Sequence, residues 1–410
     1  MSSRSYDAII IGAGPAGATA ANLLSRQGLT VLMLDRGQHP TPQIPQTYCG
    51  WSDDLLQRLG VDGNVKTALE PPKPVRFVAC QGDFDFSVEI QPCRHLRDER
   101  GLTLNRTVFD RLLVEEAVRQ GVTYLPRTLV TEIIQSDKRV TGVICENAGN
   151  TWDYLADSIV DASGKFSLLP NILTLKTVGE PLDERIAVFS HFVHPDFAAL
   201  LPDGGMTVVT LEGGYLLIAP LSDDRFSVIA VLARSAPIAE GKNPSECFHR
   251  AIAVWLPLAE AVAKAQRTLP VIPVIDQPWQ CRSLSGPGYL ITGEAAVFGD
   301  PFFSTGVAFA LDSGELAARA IQEIAAGRDR NEVAITYDQL VRELIDRHQD
   351  TGRVWLDSLP LRQLTMACAD PHLPWGVPLA VLHLFGGADP LDRPTLAMTR
   401  ARQQYASVIG

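Results

Sequence analysis

Several features that define other classes of protein are missing from this 410-residue sequence. Its 36 Lys and Arg residues are outnumbered by 47 Asp and Glu residues, the net charge is −11, and the basic residues form no cluster. Nucleic-acid-binding proteins usually present a basic stripe, so we expect no nucleic acid partner. No apolar run reaches the roughly 20 residues that a membrane-spanning helix needs, so we expect no transmembrane segment.

Cysteine is scarce and scattered. The seven Cys residues form no CxxC pair and their number is odd, which argues against a disulfide framework and against a structural zinc site. His191 and His194 are three residues apart at the end of a predicted strand, where their side chains would face opposite sides. We therefore expect no bound metal, and either imidazole would instead suit a general base.

The sequence also lacks the signals of export and of several enzyme classes. Met1–Asp7 is polar and has no signal-peptide core, so we expect a cytoplasmic protein. Internal repeats, a P-loop and a serine nucleophile elbow do not occur. Their absence removes solenoids, P-loop NTPases and α/β-hydrolases from consideration.

The composition, with 46% hydrophobic and 20% charged residues, allows sizeable cores, and the length is that of two or three domains. Helix and strand patterns alternate at the start, middle and end of the chain, with two strand-rich stretches between them. We predict an α/β fold, α+β overall, in which one domain is discontinuous and a second is inserted into it. The predicted limits are 1–70, 100–165 and 283–330 for the discontinuous domain, 71–99 and 166–282 for the inserted domain, and 331–410 for a helical C-terminal region.

A glycine-rich turn marks the first βαβ unit. It follows the apolar strand Asp7–Ile11, opens a helix, and has the form GxGxxG. The first glycine permits a tight turn, the second lets the backbone approach a pyrophosphate, and the third lets the helix pack on the strand. Asp35 ends the next strand, where its carboxylate would accept hydrogen bonds from ribose hydroxyls. The turn residues that we predict to bind a dinucleotide are Gly12, Gly14, Pro15, Ala16 and Gly17.

Three further segments complete a family pattern. They are Arg106–Asp110, Val160–Gly164 and Gly299–Val307. Together with the glycine-rich turn they resemble the FAD-binding signatures of the superfamily of aromatic hydroxylases, geranylgeranyl reductases and flavin-dependent halogenases, closest to the halogenase-like branch. The resemblance implies FAD as cofactor and a Rossmann-like FAD-binding domain of the glutathione-reductase type, with an inserted antiparallel β-sheet substrate domain.

The same resemblance assigns residues around the flavin. Asp300 to Val307 would lie against the isoalloxazine ring, with the amides of Gly306 and Val307 facing its pyrimidine edge. Glu294 stands where the family normally has an Asp that binds the ribityl chain, and Arg106 would reach a phosphate or ribityl group. The cofactor-binding residues that we predict outside the glycine-rich turn are Asp35, Arg36, Arg106, Val130, Asp161, Gly293, Glu294, Asp300, Gly306 and Val307.

Two features bear on halogenation. Halogenases of this family carry a lysine that holds active halogen, and Lys73 stands where such a residue would fall. They also carry a Trp-x-Trp-x-Ile-Pro strand between flavin and substrate. Here the corresponding segment is Gly213–Pro220, in which Tyr215 and Leu217 replace both tryptophans. Halogenation therefore stays an alternative.

Two further alternatives remain open. Cys49 precedes Gly50 in a segment that resembles the Cys-Gly segment of geranylgeranyl reductases, so a double-bond reductase is one of them. The other is a flavoprotein that modifies a protein or carrier-bound partner, as do the flavoproteins that mature tryptophan-derived cofactors.

Our leading expectation is an FAD-dependent monooxygenase that hydroxylates an electron-rich, small-molecule aromatic substrate, free or carrier-bound. No second GxGxxG follows a predicted strand, so the electrons would come from a separate flavin reductase or from external NAD(P)H. The catalytic candidates are Lys73, Cys49, Tyr215, Phe303, Ser304 and Thr305.

Overall fold

The computed structural model divides into two compact units, each built from separate segments of the chain. The first comprises Met1–Leu69, Leu104–Val178 and Trp279–Asp350, and the second comprises Glu70–Thr103, Gly179–Pro278 and Thr351–Gly410. The domain limits given above remain a prediction. The structure describes residues 4–38, 46–47, 53–70, 75–81, 84–90, 103–178, 185–194, 196–203, 205–211, 213–222, 225–233, 236–239, 243–274, 279–298 and 306–358.

Both units contain helices and strands. The helices of the described part are α1 (Pro15–Arg26), α2 (Asp53–Leu59), α3 (Arg106–Arg119), α4 (Leu168–Ile172), α5 (Asp196–Ala199), α6 (Pro244–Ala253), α7 (Leu256–Lys264), α8 (Gly306–Ala325) and α9 (Arg330–Ser358). The strands are β1 (Arg4–Ile11), β2 (Val31–Leu34), β3 (Gln46–Thr47), β4 (Leu69–Glu70), β5 (Val75–Gln81), β6 (Phe84–Ile90), β7 (Thr103–Leu104), β8 (Thr123–Leu125), β9 (Leu129–Ser136), β10 (Arg139–Asn147), β11 (Asn150–Asp161), β12 (Lys176–Val178), β13 (Arg185–Val193), β14 (Met206–Leu211), β15 (Gly214–Ser222), β16 (Arg225–Ala233), β17 (Gln266–Arg267), β18 (Ile272–Val274), β19 (Trp279–Cys281), β20 (Ser285–Gly286), β21 (Tyr289–Ile291) and β22 (Val297–Phe298).

A parallel sheet forms the centre of the first unit, with strand order β21–β11–β1–β2–β8. The middle strand β1 is apolar, and Ala8, Ile9 and Ile10 in it are fully buried, as expected for a strand covered on both faces. β10 and β9 extend β11 in antiparallel fashion. The strands β1 and β2 with α1 between them form the predicted βαβ unit.

Two helices of the first unit pack closely because small residues lie where they meet. α1 begins with Pro15, which suits the first position of a helix since its missing amide would have no partner there. In α8, a Cβ added at Gly314 would lie 2.4 Å from the carbonyl oxygen of Ala16. A side chain at residue 314 would therefore force the two helices apart.

An antiparallel sheet forms the second unit, with strand order β17–β13–β16–β15–β14–β5–β6 and β18 also paired to β13. Within it only the β14–β5 pair is parallel among the described strands. One face carries a buried apolar cluster, which we call the Phe192 cluster. It includes Phe192, Phe226 and Val228 of the sheet, Trp255, and residues of α6 and α7. Its ring centroids lie 5.8 Å apart for Phe192 and Phe197, 6.4 Å for Phe192 and Phe248, and 5.1 Å for Phe197 and Phe226.

The helical pattern over 244–263 predicts one helix, and that prediction is wrong. α6 ends at Ala253 and α7 begins at Leu256. Pro257 occupies the first turn of α7, and a proline there has no amide to continue the hydrogen bonding of α6. Trp255, which lies between the two helices, is buried in the Phe192 cluster.

The predicted fold class is confirmed. A Rossmann-like parallel sheet is built from separate chain segments, and the segments that form an antiparallel sheet lie between them in the sequence. Among the described helices, none is both long and apolar enough to cross a membrane.

Candidate cofactor site

The glycine-rich turn between β1 and α1 is set by backbone geometry. Gly12 has a φ of +104°, a region that favours glycine. A Cβ at Gly12 would lie 2.2 Å from the Ala162 carbonyl oxygen, and one at Gly17 would lie 1.9 Å from the Gly12 carbonyl oxygen. Neither position accepts a side chain, which is the physical reason for the first and third glycines of the motif.

Gly14 differs from the other two glycines. It precedes α1 with a φ of −70°, which any residue adopts, and no side chain caps the helix there. A Cβ at Gly14 would have no described atom within 4 Å. The open space therefore lies beside the first turn of α1, where unpaired amides and the helix dipole favour an anion. This is the fit expected for the pyrophosphate of a dinucleotide.

Asp35 lies beside this turn at the end of β2. Its Oδ2 accepts a hydrogen bond of 2.7 Å from the Ala13 amide, and its Oδ1 accepts one of 2.7 Å from the Gly37 amide. The carboxylate therefore holds the turn to the loop that follows β2. The side chain is half-buried, so part of it remains exposed next to the turn.

Arg106 begins α3 and forms a two-point ion pair with Asp110 one turn later. The Nε–Oδ1 and Nη2–Oδ2 distances are both 2.8 Å. The Asp110 side chain is 2% exposed and that of Arg106 12%. The Asn105 side chain caps the helix by accepting from the Val108 amide at 3.2 Å. The ion pair fixes the guanidinium at the start of α3.

Asp161 is fully buried at the end of β11. Its Oδ1 accepts from the Ser163 amide at 2.9 Å and its Oδ2 from the Leu169 amide at 2.6 Å. Burial raises the pKa of this carboxyl, while the hydrogen bonds from Ser163 and Leu169 act in the opposite direction. Both oxygens bind the chain itself, so Asp161 shapes the loop from 162 to 169 beside the glycine-rich turn.

A second glycine turn lies against the first. Gly293 has a φ of +62°, and a Cβ there would be 2.9 Å from the Ala16 Cβ. Glu294 is exposed, and its Oε1 lies 3.9 Å from the position of a Cβ at Gly306, where α8 begins. The structure therefore brings Gly293, Glu294 and Gly306 together with Ala16, while Val307 is buried in the core.

The remaining predicted residues are distributed as follows. Arg36 is exposed, and its guanidinium carbon lies 5.1 Å from the centre of the Phe166 ring. The Val130 side chain is buried in an apolar cluster with Ile9 and Leu32. Tyr215 is buried in the second unit. Cys49, Lys73, Asp300, Phe303, Ser304 and Thr305 lie outside the described residues.

Three residues that the sequence analysis missed support the site. Asp110 holds Arg106, and the spacing of four residues between opposite charges in a predicted helix could have revealed it. Ser313 of α8 accepts a hydrogen bond of 3.0 Å from the Gly293 amide. Tyr337 of α9 donates one of 2.8 Å to the Ile291 carbonyl oxygen. The last two are distant in sequence from the turns they hold, and no local pattern marks them.

The described residues include no cluster of three or more His, Cys, Asp or Glu side chains arranged to hold a metal ion. Cys145, Cys247 and Cys281 are buried. Burial raises the thiol pKa of Cys145 to about 11 and that of Cys281 to about 12. Neither of these two thiols is a nucleophile at neutral pH.

Comparison with known proteins agrees with this geometry. The model of the FAD binding domain family matches residues 5–264, more than half of the chain. A 1H-pyrrole-2-carbonyl-[peptidyl-carrier protein] brominase of Pseudoalteromonas luteoviolacea is 28% identical over 334 residues, covering 80% of this chain and 79% of that protein. A digeranylgeranylglycerophospholipid reductase of Methanocella arvoryzae is 26% identical over 349 residues, covering 84% of this chain and 85% of that protein.

The solved structure of the flavin-dependent brominase Bmp2 superimposes with a TM-score of 0.76 over 98% of this chain and 99% of that one, at 24% identity. At that identity the likeness shows the fold. The glycines, the open space at Gly14 and the placement of Asp35 fit FAD, and the predicted cofactor and superfamily are confirmed. The chain belongs to the FAD binding domain family and is an FAD-dependent oxidoreductase.

Proposed function

We propose that this chain is an oxygen-dependent flavoenzyme of the halogenase branch that hydroxylates an electron-rich aromatic ring. The observation that carries this choice is the composition of β15, which has Tyr215 and Leu217 where the halogenase motif has two tryptophans. Both residues are held in the sheet, Tyr215 opposite Val231 and Leu217 opposite Ile229. In halogenases the tryptophan strand stands between flavin and substrate, so a strand with smaller side chains favours direct transfer of oxygen to the ring.

FAD, when bound and reduced, supplies the activation of dioxygen. The chain's own residues supply the rest. The amides at the start of α1 bind the pyrophosphate next to Gly14, and Asp35 binds the ribose. Arg106, fixed by Asp110 at the start of α3, would hold a phosphate or the ribityl chain of FAD. The amides at the start of α8, from Gly306 onward, stabilise negative charge on the cofactor.

Halogenation is the second candidate, and a specific observation favours it. The brominase of Pseudoalteromonas luteoviolacea matches 80% of this chain, and its name describes a substrate carried on a protein. Lys73 would then be the residue that carries active halogen. A carrier-bound aromatic acyl group is accordingly a substrate to test for either reaction.

The deciding experiment supplies the FAD-loaded protein with NADH, a purified flavin reductase and isotopically heavy dioxygen. Two probes are used, phenol and a carrier protein loaded with 1H-pyrrole-2-carbonyl, each with and without bromide. Mass spectrometry of the products then identifies the transferred atom. Heavy oxygen in the product at either bromide level is the expected result, whereas bromine in the product would select halogenation.

Two variants sharpen that experiment. Lys73→Ala should leave hydroxylation unchanged, since no lysine adduct takes part in it, and should abolish halogenation. Cys49→Ala should also leave hydroxylation unchanged. If neither probe gains oxygen or bromine while the chain hydrogenates digeranylgeranylglycerophospholipid in a Cys49-dependent way, the proposal is wrong and the chain is a reductase.

A further inference from the structure

Two buried polar atoms without a partner belong to a pair of opposed residues in the second unit. They are Nε2 of His191 and Oγ of Ser227, both among the few such atoms in the described part of the chain. His191 in β13 and Ser227 in β16 are directly opposite each other in the antiparallel ladder. Buried polar side chains almost always have a hydrogen-bonding partner, so a neighbouring pair of exceptions calls for a cause.

The pair lies on the face of the sheet that carries Tyr215. Phe226 and Val228, the neighbours of Ser227 along β16, belong to the Phe192 cluster, and side chains alternate between the faces of a strand. Ser227 therefore points to the opposite face, and by the same alternation along β15 so does Tyr215. We call this side of the sheet the Tyr215 face. It carries Tyr215 and Leu217 of β15, the two residues on which the proposed function rests.

His191 is the member of the pair that stays half-buried rather than fully buried. Of its two ring nitrogens only Nε2 is both buried and without a partner. Its ring centre lies 5.6 Å from that of Phe189 on the same face. Burial lowers the pKa of the His191 imidazole, and the charge of Arg225 lowers it further. The ring is therefore neutral at neutral pH, with one N–H donor and one acceptor nitrogen.

We propose that His191 binds the oxygen substituent of an aromatic substrate through Nδ1, and that Ser227 positions the imidazole through Nε2. Directly opposed residues of an antiparallel pair have Cβ atoms about 4.5–5.5 Å apart, so rotation of the two side chains brings the hydroxyl within hydrogen-bonding distance of Nε2. With Nε2 accepting from the hydroxyl, the ring proton resides on Nδ1. Nδ1–H then donates a hydrogen bond to the oxygen of a phenol or an aryl carbonyl group, while Phe189 contacts the aromatic ring of the substrate.

This inference rests on the proposed function for the class of substrate, but its test needs no turnover. The FAD-loaded protein is titrated with phenol and, separately, with toluene, which has the same shape without the oxygen. Ring-nitrogen NMR of labelled histidine reports the tautomer, and the His191→Phe variant assigns the resonances. We expect His191 to be protonated on Nδ1, phenol to shift that nitrogen, and phenol to bind about tenfold more tightly than toluene.

Two serine variants supply the matched comparison. Ser227→Ala should mix the His191 tautomers and weaken phenol binding about three- to tenfold, with toluene binding unchanged. Ser190→Ala removes an equally buried hydroxyl from the other face of β13. There the Ser190 hydroxyl donates a hydrogen bond of 2.6 Å to the Leu269 carbonyl oxygen. That variant should change neither the tautomer nor phenol binding.

The outcomes separate this inference from the proposed function. Equal affinity for phenol and toluene would overturn the role of His191 whatever the enzyme's reaction. So would a His191 ring-nitrogen resonance that shifts neither on addition of phenol nor in Ser227→Ala. If Ser227→Ala does not fold, the wild-type comparison of phenol with toluene still decides. Failure to hydroxylate any probe, with the phenol preference intact, would leave the site in place and reject the reaction.

Discussion

Asp161 in the parallel unit and Ser227 in the antiparallel unit are both fully buried polar residues of central strands, yet their surroundings differ. Each carboxylate oxygen of Asp161 accepts a backbone amide. The Ser227 hydroxyl has no partner, and neither has Nε2 of His191 across the ladder. A buried polar group that is satisfied within the chain shapes the fold, whereas an unsatisfied one is available to respond to a ligand.

The two units also differ in whether backbone or side chains form their proposed sites. In the parallel unit the site is made mainly of backbone, and glycines mark it because Gly12 and Gly17 exclude any Cβ. On the Tyr215 face the proposed site is made of side chains on regular strands. The parallel unit should therefore be intolerant of small backbone changes, and the Tyr215 face should tolerate substitution while changing in specificity.

The largest effect is expected at Gly12. Gly12→Ala places a Cβ 2.2 Å from the Ala162 carbonyl oxygen at a φ of +104°, so we expect a loss of about 3 kcal/mol or more in the free energy of unfolding. Gly63→Ala is the control, since a Cβ there meets no atom within 4 Å, and it should change stability by less than about 0.5 kcal/mol. Denaturant unfolding measures both, and equal stabilities would refute the backbone account of the turn.

The next effect separates a buried ion pair from an exposed one on the same helix. Arg106→Ala leaves Asp110 buried without its partner and should cost about 3 kcal/mol. Arg111→Ala removes a pair of the same spacing, at 3.7 Å from Glu115, whose side chains are 49% and 65% exposed. It should cost less than about 0.5 kcal/mol. Urea denaturation of the FAD-free variants measures both, and similar costs would show that burial does not decide the strength of this pair.

Gly14→Ala should separate cofactor binding from folding. Its Cβ enters open space at an ordinary φ of −70°, so we expect wild-type stability of the FAD-free protein. The methyl group occupies the space assigned to the pyrophosphate, so FAD should bind about tenfold to hundredfold more weakly. Fluorescence titration with FAD measures the affinity. Unchanged affinity would mean that the pyrophosphate does not lie beside residue 14.

The buried carboxyl of Asp161 should make stability depend on pH. Because burial raises its pKa in the folded protein, its contribution is fully present below the unfolded pKa and is lost as the pH rises through the folded value. The stability of the wild type minus that of Asp161→Asn should therefore fall as the pH rises above ~4, the ordinary value of the carboxyl, by at most about 1.4 kcal/mol per pH unit. Unfolding curves at several pH values measure it, and a difference that grows with pH would contradict the burial.

The parallel unit could be predicted from the sequence because its chemistry is local. The turn from Gly12 to Gly17, the strand before it and Asp35 after it lie within one βαβ unit. The first and third glycines, Gly12 and Gly17, have a steric reason, and the second lies where the motif predicts a pyrophosphate. The long and regular apolar stripe over 307–326 likewise predicts a helix, and α8 is observed at Gly306–Ala325.

The rest could not be predicted because it depends on contacts between distant segments. Ser313 and Tyr337 hold the turn at Gly293 from two later helices, and no short pattern links them to it. Asp161 was predicted to bind the cofactor, but the sequence carries no sign that both of its oxygens accept amides of its own loop. Likewise, the opposition of His191 and Ser227 follows from the register of β13 against β16, which side-chain alternation alone does not determine.

The smallest expected effect tests the unsatisfied pair directly. If Ser227 donates to His191 as proposed, Ser227→Ala should cost about 1 kcal/mol in the wild type, because it leaves Nε2 buried without a partner. In the His191→Phe background, which has no ring nitrogen, the same substitution should cost nothing. The coupling in this double-mutant cycle should therefore be about 0.5–1.5 kcal/mol, measured by urea unfolding. A coupling of zero would mean that the two atoms stay unpaired in the free protein, and that the contrast with Asp161 holds there.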